Sequence, residues 1–416
     1  MTEQRAEAVI VGGGLAGLAC AISAGSAASP TACILLEKER SRGRKLLVSG
    51  DGQCNITNWQ PIDHFFDHYG PPAKSRFVRS ILLEYPNTSL MSFLSKRGLA
   101  LEREPGGKVF PQSRKSRDIF NLFEEEAKRY CLSRPTLSGV RHIEKAARGF
   151  SVYTEASCIE TKRLVLATGG ASWPKLGSDG SGFTLARSLG HSIIDPRPAL
   201  AAVYASPWPL ADCSGIAFDS PRIAVFREGR VIHRTSGPVL ITHRGLSGPA
   251  ILNLSRYLYP GDRLDVSLVS ACDANTLSRE LLQWCQARPG TAIKTFFHQR
   301  NLPARLVAAL LKEVAIDSNL ACNELRRDER LRLATLFTAL PVTIAALEGF
   351  ASAMVTTGGV ALNEVNRLTM ESRLVPNLYF AGEILDIDGD CGGYNLQFAW
   401  SSGSLAGRSL AAKKVE

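Results

Sequence analysis

A glycine-rich turn between an apolar run and a stretch of small residues constrains this chain more than any other feature. The apolar run at 8–11 is typical of a buried parallel strand, and the residues from Leu15 onward are typical of the helix that follows it. Between them, Gly12, Gly14 and Gly17 have the spacing that brings backbone against a pyrophosphate and packs the helix on the sheet. The free N–H groups at the helix N-terminus favour an anion there. The segment predicts a dinucleotide-binding βαβ unit.

Glu37 supports the same interpretation. It follows Gly17 by 20 residues and lies at the tip of the predicted second strand. An acid at this place can accept hydrogen bonds from ribose hydroxyls.

The alternative for residues 8–28 is a membrane anchor or signal peptide, because about 20 small or apolar residues could span a bilayer. Three consecutive glycines interrupt the run, however, and Glu3 and Glu7 outweigh Arg5 on its N-terminal side. We therefore expect a cytoplasmic protein without a membrane span.

Charge and cysteine content narrow the function classes. The net charge is +10, but the basic residues are scattered, which favours a phosphate-rich cofactor over nucleic acid. Ten cysteines occur without a CxxC pair, and seven histidines without an HExxH pattern. The sequence therefore predicts neither a dithiol relay nor a metal site.

Composition shifts divide the 416 residues into two domains. Four prolines crowd 196–209, and a predicted hairpin around Glu228 and Gly229 follows them. An apolar stripe then runs along a predicted helix from Leu306 to Val314. We expect an α/β domain formed by 1–195 and 343–416, and an inserted domain at 196–342 with a β-rich part (196–274) and a helical subdomain (275–340).

Two later glycine clusters each follow a predicted strand, at 167–170 and 381–384, and a third, at 392–400, precedes a helix expected from Gln397 to Ala412. In the second cluster, Glu383 could hydrogen-bond a ribityl hydroxyl. The backbone of the third cluster suits the electron-rich edge of an isoalloxazine ring. Each cluster alone could be only a tight turn; their repetition favours a flavin nucleotide.

These motifs together resemble the BaiN/YhiN-type family of FAD-dependent oxidoreductases, also described as aminoacetone-oxidase-like or 3-dehydro-bile-acid-reductase-like flavoproteins. The matching segments cover the chain in order, at 11–18, 43–58, 107–113, 166–182, 242–252, 356–360 and 369–407. The resemblance implies a glutathione-reductase-like, Rossmann-type FAD domain interrupted by an insert with a β-barrel-like part and a small helical subdomain. Gln53 and Arg244 depart from the family pattern, which usually has Arg and an aromatic residue there, so the substrate stays open.

The resemblance also implies the residues that bind FAD. They are Gly12, Gly14, Leu15, Ala16 and Gly17 at the pyrophosphate; Glu37 and Lys38 at the adenosine ribose; Arg44, Lys45, Ser49 and Gly50 on the phosphate and flavin side; Val140 at the adenine; Ala167, Thr168 and Gly169 on the phosphate side; Gly382 and Glu383 at the ribityl chain; and Gly393, Tyr394, Asn395, Leu396 and Gln397 at the isoalloxazine ring.

The expected chemistry is hydride transfer through flavin N5 to or from a small organic substrate. NADH or NADPH is a possible transient donor, and an aminoacetone-like amine oxidase using O₂ is the alternative direction.

His243 is the leading acid–base candidate because its ordinary pKa suits proton transfer at neutral pH; a histidine that only hydrogen-bonds backbone is the alternative. Tyr394 is a second candidate for proton or hydrogen-bond donation, and simple packing of its side chain on the flavin ring is the alternative. Cys54 and Cys391 are expected to be small buried residues rather than redox thiols.

Two rival functions remain at the level of sequence. An FAD-dependent RNA-modifying flavoprotein is compatible with the net charge, but the chain has no clustered basic tail with interleaved aromatic residues. An NAD-dependent dehydrogenase without flavin would lack the yellow colour. We expect a small-molecule substrate and no nucleic acid partner, and the sequence leaves the oligomeric state open.

Overall fold

Two units make up the fold. The computed structural model describes residues 2–133, 137–269 and 272–412. The first unit comprises Met1–Ala199 with Phe350–Glu416, and the second comprises Leu200–Gly349. The sequence predicted both breaks a few residues earlier, at 196 and 343.

The strands and helices are as follows. The strands are β1 Thr2–Val11, β2 Cys33–Leu36, β3 Thr57–Asn58, β4 Leu101–Arg103, β5 Lys108–Pro111, β6 Cys131–Ser133, β7 Val140–Ala146, β8 Gly149–Thr154, β9 Ser157–Leu166, β10 Ile193–Ala199, β11 Val203–Ala205, β12 Ala217–Phe218, β13 Arg222–Arg227, β14 Arg230–Ser236, β15 Val239–Thr242, β16 Gly245–Ser247, β17 Arg263–Val266, β18 Leu340–Leu347, β19 Val355–Val360 and β20 Leu378–Phe380. The helices are α1 Leu15–Gly25, α2 Arg44–Val48, α3 Pro72–Glu84, α4 Asn87–Ser95, α5 Ser116–Tyr130, α6 Ser181–Ser188, α7 Pro249–Leu254, α8 Ala274–Ala287, α9 Lys294–His298, α10 Ala304–Glu313, α11 Arg327–Thr338 and α12 Tyr394–Ala412.

The first unit is built on a seven-stranded sheet in the order β6-β2-β1-β9-β8-β7, with β20 also paired to β9. The strands β6, β2, β1, β9 and β20 run parallel, so their carboxyl ends lie along one edge. The central strands are almost continuously apolar because a parallel sheet is covered on both faces, and all four residues of β2 are buried. The predicted α/β Rossmann-type fold is confirmed.

Helices α1 and α12 pack with their backbones nearly in contact. A Cβ atom on Gly403 would lie 2.2 Å from the carbonyl oxygen of Ala16, and one on Gly407 would lie 2.3 Å from that of Cys20. Only glycine permits this approach, since any side chain would collide with fixed backbone. The contact holds the C-terminal segment against the first βαβ unit.

Helix α12 begins at Tyr394, three residues before the start that the sequence predicted. Gly393 has φ of 94° and closes the preceding glycine turn, so helical geometry starts at the next residue. Among the described residues, no helix is both long enough and apolar enough to cross a bilayer.

The second unit has its own sheet and its own core. Its eight strands follow the order β12-β15-β16-β11-β18-β17-β13-β14, and β13 and β14 form the predicted hairpin around Glu228 and Gly229. Helices α8 to α11 pack beside a core that includes Phe297 stacked on Phe337 at 3.9 Å. The apolar stripe on α10, which includes Leu306, is buried in this core.

A buried histidine joins two loops of the first unit. The imidazole of His191 lies with Nδ1 3.1 Å from Oε2 of Glu364 and with Nε2 2.9 Å from the hydroxyl of Ser372. The edge of the ring packs on Phe380, with 4.7 Å between the ring centroids. Burial lowers the pKa of His191, although the Glu364 carboxylate opposes that shift. The folded protein therefore favours neutral His191.

This network predicts a pH dependence of stability. Below about pH 6.5 the unfolded chain takes up a proton at this histidine more readily than the folded chain does, so the free energy of unfolding should fall there. Urea denaturation of wild type and His191→Gln at several pH values measures the effect, and the difference between the two proteins should narrow as the pH falls. The exposed His64, changed to Gln, is the control for replacing a histidine as such. A constant difference for His191→Gln would contradict the argument.

Candidate functional site

The three glycines of the first turn have different surroundings. Gly12 has φ of 109°, and a Cβ atom on it would lie 2.4 Å from the carbonyl oxygen of Ala167. A Cβ atom on Gly17 would lie 1.9 Å from the carbonyl oxygen of Gly12. Gly14 has φ of −76°, and no heavy atom lies within 4 Å of its Cβ position. Gly14 therefore relieves no backbone strain and no internal crowding; it leaves open space at the N-terminus of α1.

That open space lies where β1, β9 and β20 end. Ala167 follows β9 and packs over Gly12, while Gly382 follows β20 with φ of 74°. A Cβ atom on Gly382 would lie 2.8 Å from the Cβ atom of Ala16, and its N–H donates to Ser402 Oγ at 2.9 Å. The turns predicted at 12–14, 167–170 and 382–383 therefore converge at the carboxyl edge of the parallel sheet, where α/β folds bind nucleotides.

Thr168 and Gly169 complete the second turn. Gly169 has φ of 78°, and Ser178 Oγ lies 3.1 Å from its Cβ position. A Cβ atom on Gly182, near the start of α6, would collide with the side chain of Thr168. Leu15 in the first turn of α1 is buried in the core.

Glu37 stabilises the first glycine turn through two hydrogen bonds. Its Oε2 accepts the N–H of Gly13 at 3.0 Å, and its Oε1 accepts the N–H of Glu39 at 2.9 Å. The ribose contact expected for this residue stays a prediction. Lys38 lies with Nζ 2.6 Å from Oδ1 of Asp179. Val140, the residue expected at the adenine, is half-buried at the start of β7.

A polar network ties α2 to the ends of β19 and β20. Lys45 Nζ lies 2.6 Å from Oε2 of Glu383 and 2.7 Å from Ser172 Oγ. Oε1 of Glu383 accepts the Ser172 hydroxyl at 3.0 Å and the N–H of Thr356 at 2.8 Å. The Thr356 hydroxyl in turn accepts the N–H groups of Ala171 and Ser172. The network fixes two residues expected at the flavin, Lys45 and Glu383, relative to each other.

The segment after α2 forms a tight internal turn. Arg44 pairs with Glu39, and the hydroxyl of Ser49 donates to a backbone carbonyl at 2.7 Å. Gly50 has φ of 56°. Burial raises the pKa of the Cys54 thiol to about 12, so the thiol stays protonated and unreactive at neutral pH.

The side chains at the start of α12 bind protein groups. Asn395 accepts the N–H of Gly389 at 2.7 Å and donates to its carbonyl at 2.8 Å. Gln397 is fully buried; it accepts the Thr57 hydroxyl at 2.6 Å and donates to Ser401 Oγ at 2.9 Å. Because these two side-chain amides already bind protein groups and stabilise the turn, the backbone of this segment is the part that could contact a flavin.

Gly393 and Leu396 flank this helix start in different ways. A Cβ atom on Gly393 would lie 2.5 Å from the backbone of Thr57, so the glycine permits a close crossing of two segments. Leu396 is half-buried and packs on the core of the first unit.

The Tyr394 ring lies within an aromatic cluster. It stacks on the His68 imidazole, with 4.1 Å between ring centroids, and meets Phe65 edge-on at 5.0 Å. Burial raises the pKa of the phenol well above its ordinary value, and the charge of Asp390 adds to the shift. The hydroxyl of Tyr69 donates to the carbonyl of Tyr394 at 2.8 Å.

Sequence reasoning missed Lys74 on α3. Its Nζ lies 2.6 Å from Oδ1 of Asp386, 2.9 Å from Oδ1 of Asp388 and 3.3 Å from Thr357 Oγ1. Asp388 is almost fully buried, and the pairs hold the loop between β20 and α12 in place. The acidic residues of this loop are visible in the sequence, but nothing near Lys74 marks it as their partner.

His243 lies in the second unit. It occupies the two-residue turn between β15 and β16 and is exposed. The neighbouring Arg244 guanidinium lies 3.9 Å above the ring of Tyr204. The predicted acid–base role of His243 stays a prediction.

The open cradle at Gly14 fits a pyrophosphate, and three glycine turns at the carboxyl edge of a parallel sheet fit a dinucleotide. The fold agrees with a solved structure, the 3-ketosteroid-Δ4-(5α)-dehydrogenase of Rhodococcus jostii, at a TM-score of 0.50 and 17% identity, covering 99% of this chain and 97% of that one. The fold and site define an FAD-dependent oxidoreductase with a Rossmann-type domain.

The chain belongs to the family described as "HI0933-like protein Rossmann domain", whose model matches residues 6–409. It is 32% identical to the 3-dehydro-bile acid Δ(4,6)-reductase of Clostridium scindens, over 97% of this chain and 98% of the relative. It is also 32% identical to the ribosomal RNA dihydrouridine synthase of Escherichia coli, over 99% of each chain. The family resemblance drawn from the sequence motifs is confirmed.

The environment of Gly14 predicts that a side chain at this position blocks FAD binding without preventing folding. A Cβ atom at Gly14 would have no heavy atom within 4 Å, so the apo Gly14→Val protein should fold with a free energy of unfolding close to that of wild type, while bound FAD is lost. The ratio of flavin to protein absorbance and urea denaturation measure the two quantities. Gly290→Val, at an exposed glycine with equally open space, is the control and should retain FAD. Full FAD occupancy in Gly14→Val would exclude the cradle as the pyrophosphate site.

The network around Glu383 predicts that the stability of the apo protein and its affinity for FAD fall together when the network is broken. Glu383→Gln removes the charge that pairs with Lys45, so the free energy of unfolding of the apo protein should fall by about 1–2 kcal/mol. FAD affinity, measured by flavin fluorescence quenching, should fall about tenfold. Glu125→Gln, at an exposed position on α5, should change neither quantity. Wild-type stability and affinity in Glu383→Gln would show that the network does not organise the site.

Proposed function

We propose that this protein is an FAD-dependent reductase of carbon–carbon double bonds that are conjugated to a carbonyl group. The observation that carries the proposal is the full-length match to two relatives with different substrates. A Δ(4,6) bond system beside a 3-oxo group and the C5–C6 bond of uridine are both conjugated to a carbonyl. Both names therefore describe one chemistry, the addition of a hydride and a proton across an activated double bond.

The residues of the first unit support this chemistry by holding the cofactor. Gly14 and the N-terminus of α1 would receive the pyrophosphate, with Glu37 and Lys38 beside the adenosine ribose. Lys45 and Glu383 would fix the ribityl side, and the backbone at the start of α12 would face the isoalloxazine ring. When bound, FAD supplies hydride transfer to carbon.

The electron donor in this proposal is NADH or NADPH, bound transiently. The strands of the second unit that the structure describes pair only in antiparallel fashion, so this part of the chain holds no second βαβ nucleotide unit. A nicotinamide donor would then use the same cleft as the substrate, in alternation.

A small conjugated ketone is the leading substrate class, and uridine in RNA is the second candidate. The second candidate is favoured by the net charge of +10 and by Arg230 and Arg234, which are exposed on β14 at the end of its sheet. Contacts with phosphates would make RNA binding strongly dependent on salt.

Anaerobic stopped-flow absorbance tests the proposal. NADH or NADPH should bleach the flavin band, and cyclohex-2-enone, a steroid 4,6-dien-3-one or a uridine-containing ribosomal RNA fragment should restore it. If only the RNA fragment restores the flavin band, uridine in RNA is the substrate class. The apparent affinity for the RNA should then fall about tenfold or more between low and physiological salt. Bleaching by aminoacetone but by neither nicotinamide, with reoxidation by O₂ only, would contradict the proposal and identify an amine oxidase.

A further inference from the structure

We propose that His68, held by Asp390, donates the proton in this reduction. The inference rests on the proposed function, because saturation of a conjugated double bond consumes one hydride and one proton. The hydride, which a nicotinamide donor supplies through the cofactor, forms the bond at the carbon remote from the carbonyl. The proton is added at the carbon next to the carbonyl group. It comes from an acid on the protein, which then takes up a new proton from solvent.

The His68–Asp390 pair lies at the start of α12. His68 belongs to a 3₁₀ helix, Ile62–Tyr69, and its Nδ1 is 2.9 Å from Oδ2 of Asp390. The two residues also meet through backbone, since the N–H of Asp390 donates to the carbonyl of His68 at 2.9 Å. Asp390 precedes the first residue of α12 by four positions and precedes Gly393, the first residue expected at the isoalloxazine ring, by three.

The Asp390 carboxylate determines which ring nitrogen can deliver a proton. An ionised carboxylate only accepts hydrogen bonds, so Nδ1 of His68 carries a hydrogen in both charge states of the ring. Nε2 is then the nitrogen that gains and loses a proton, as in other carboxylate–histidine pairs. The stacked Tyr394 ring fixes the plane of the imidazole, with 19° between the two ring planes.

Exposure distinguishes His68 from Tyr394 as a proton donor. One third of its side chain is accessible, so solvent can recharge it, whereas Tyr394 is 3% exposed and its pKa is strongly raised. Lys74 is paired with two carboxylates. Further ionisable groups are Asp63, His64, Asp67 and Tyr69 on the His68 element itself, Cys391 on the loop before α12, and Arg79 of α3, whose guanidinium lies 4.8 Å from the centre of the Phe66 ring on that element.

Histidine-selective ¹⁵N NMR of the FAD-loaded protein tests the pair without turnover. The expected result is a neutral His68 ring protonated at Nδ1 in wild type, and a weaker preference for that tautomer in Asp390→Asn, whose amide can also donate a hydrogen bond. His64→Gln assigns the neighbouring signal and should leave His68 unchanged. A neutral ring protonated at Nε2, or the same tautomer preference of His68 in wild type and Asp390→Asn, would overturn the proposal.

Kinetics of the reduced enzyme test the proton transfer itself. In His68→Gln, reoxidation by the conjugated substrate should be about 100-fold slower at neutral pH and should lose its decline toward high pH. FAD content and reduction by nicotinamide should match wild type, and His64→Gln should match in all respects. Asp390→Asn should also slow reoxidation, by less than His68→Gln does, with unchanged FAD content. An unchanged rate and pH profile in His68→Gln, or loss of the decline in His243→Ala instead, would overturn the proposal.

Failure of the proposed function has a different signature. In that case no conjugated substrate would reoxidise wild type or His64→Gln, and the kinetic role of His68 would fall with it. The NMR spectra would still report whether Asp390 determines the tautomer of His68.

Discussion

The close packing of α1 against α12 is the constraint on which the site depends. Gly403 and Gly407 let the backbone of α12 touch that of α1, at positions where a methyl group would overlap carbonyl oxygens. Because residues nearly 400 positions apart meet there, the first glycine turn and the turn that follows β20 share one crevice. Gly382 then lies against Ala16, and the N-terminus of α1 stays open for an anion.

Ion pairs hold the loops of that crevice at the carboxyl edge of the sheet. Lys45 with Glu383 joins α2 to the end of β20, and Lys74 joins α3 to the loop that precedes α12. Each pair connects segments more than 300 residues apart in sequence, and each is mostly shielded from water. Their contribution is to position backbone turns, because a half-buried charge pair fixes geometry more than it adds stability. The aromatic contacts of Tyr394 with Phe65 and His68 do the same for the helix start.

Local patterns predicted the parts of this fold that depend on neighbouring residues. The strand–turn–helix at Gly12 to Gly17 and the hairpin at Glu228 and Gly229 follow from glycine spacing and alternation, and both are confirmed. The predicted start of α12 was wrong by three residues, because helical geometry begins directly after the glycine turn that Gly393 closes. Lys74 and the His68–Asp390 pair escaped prediction for another reason: their partners lie over 300 residues away, and only the assembled sheet brings them together.

The central claim is that the crevice formed by α1, β9, β20 and the start of α12 holds FAD. A crystal structure of the yellow protein as purified, with the released cofactor identified by mass spectrometry, tests it most directly. We expect FAD, with its pyrophosphate at the backbone of Gly14 and its ring beside Gly393. A colourless protein whose crevice stays empty after soaking with FAD, or FAD bound elsewhere on the chain, would contradict it.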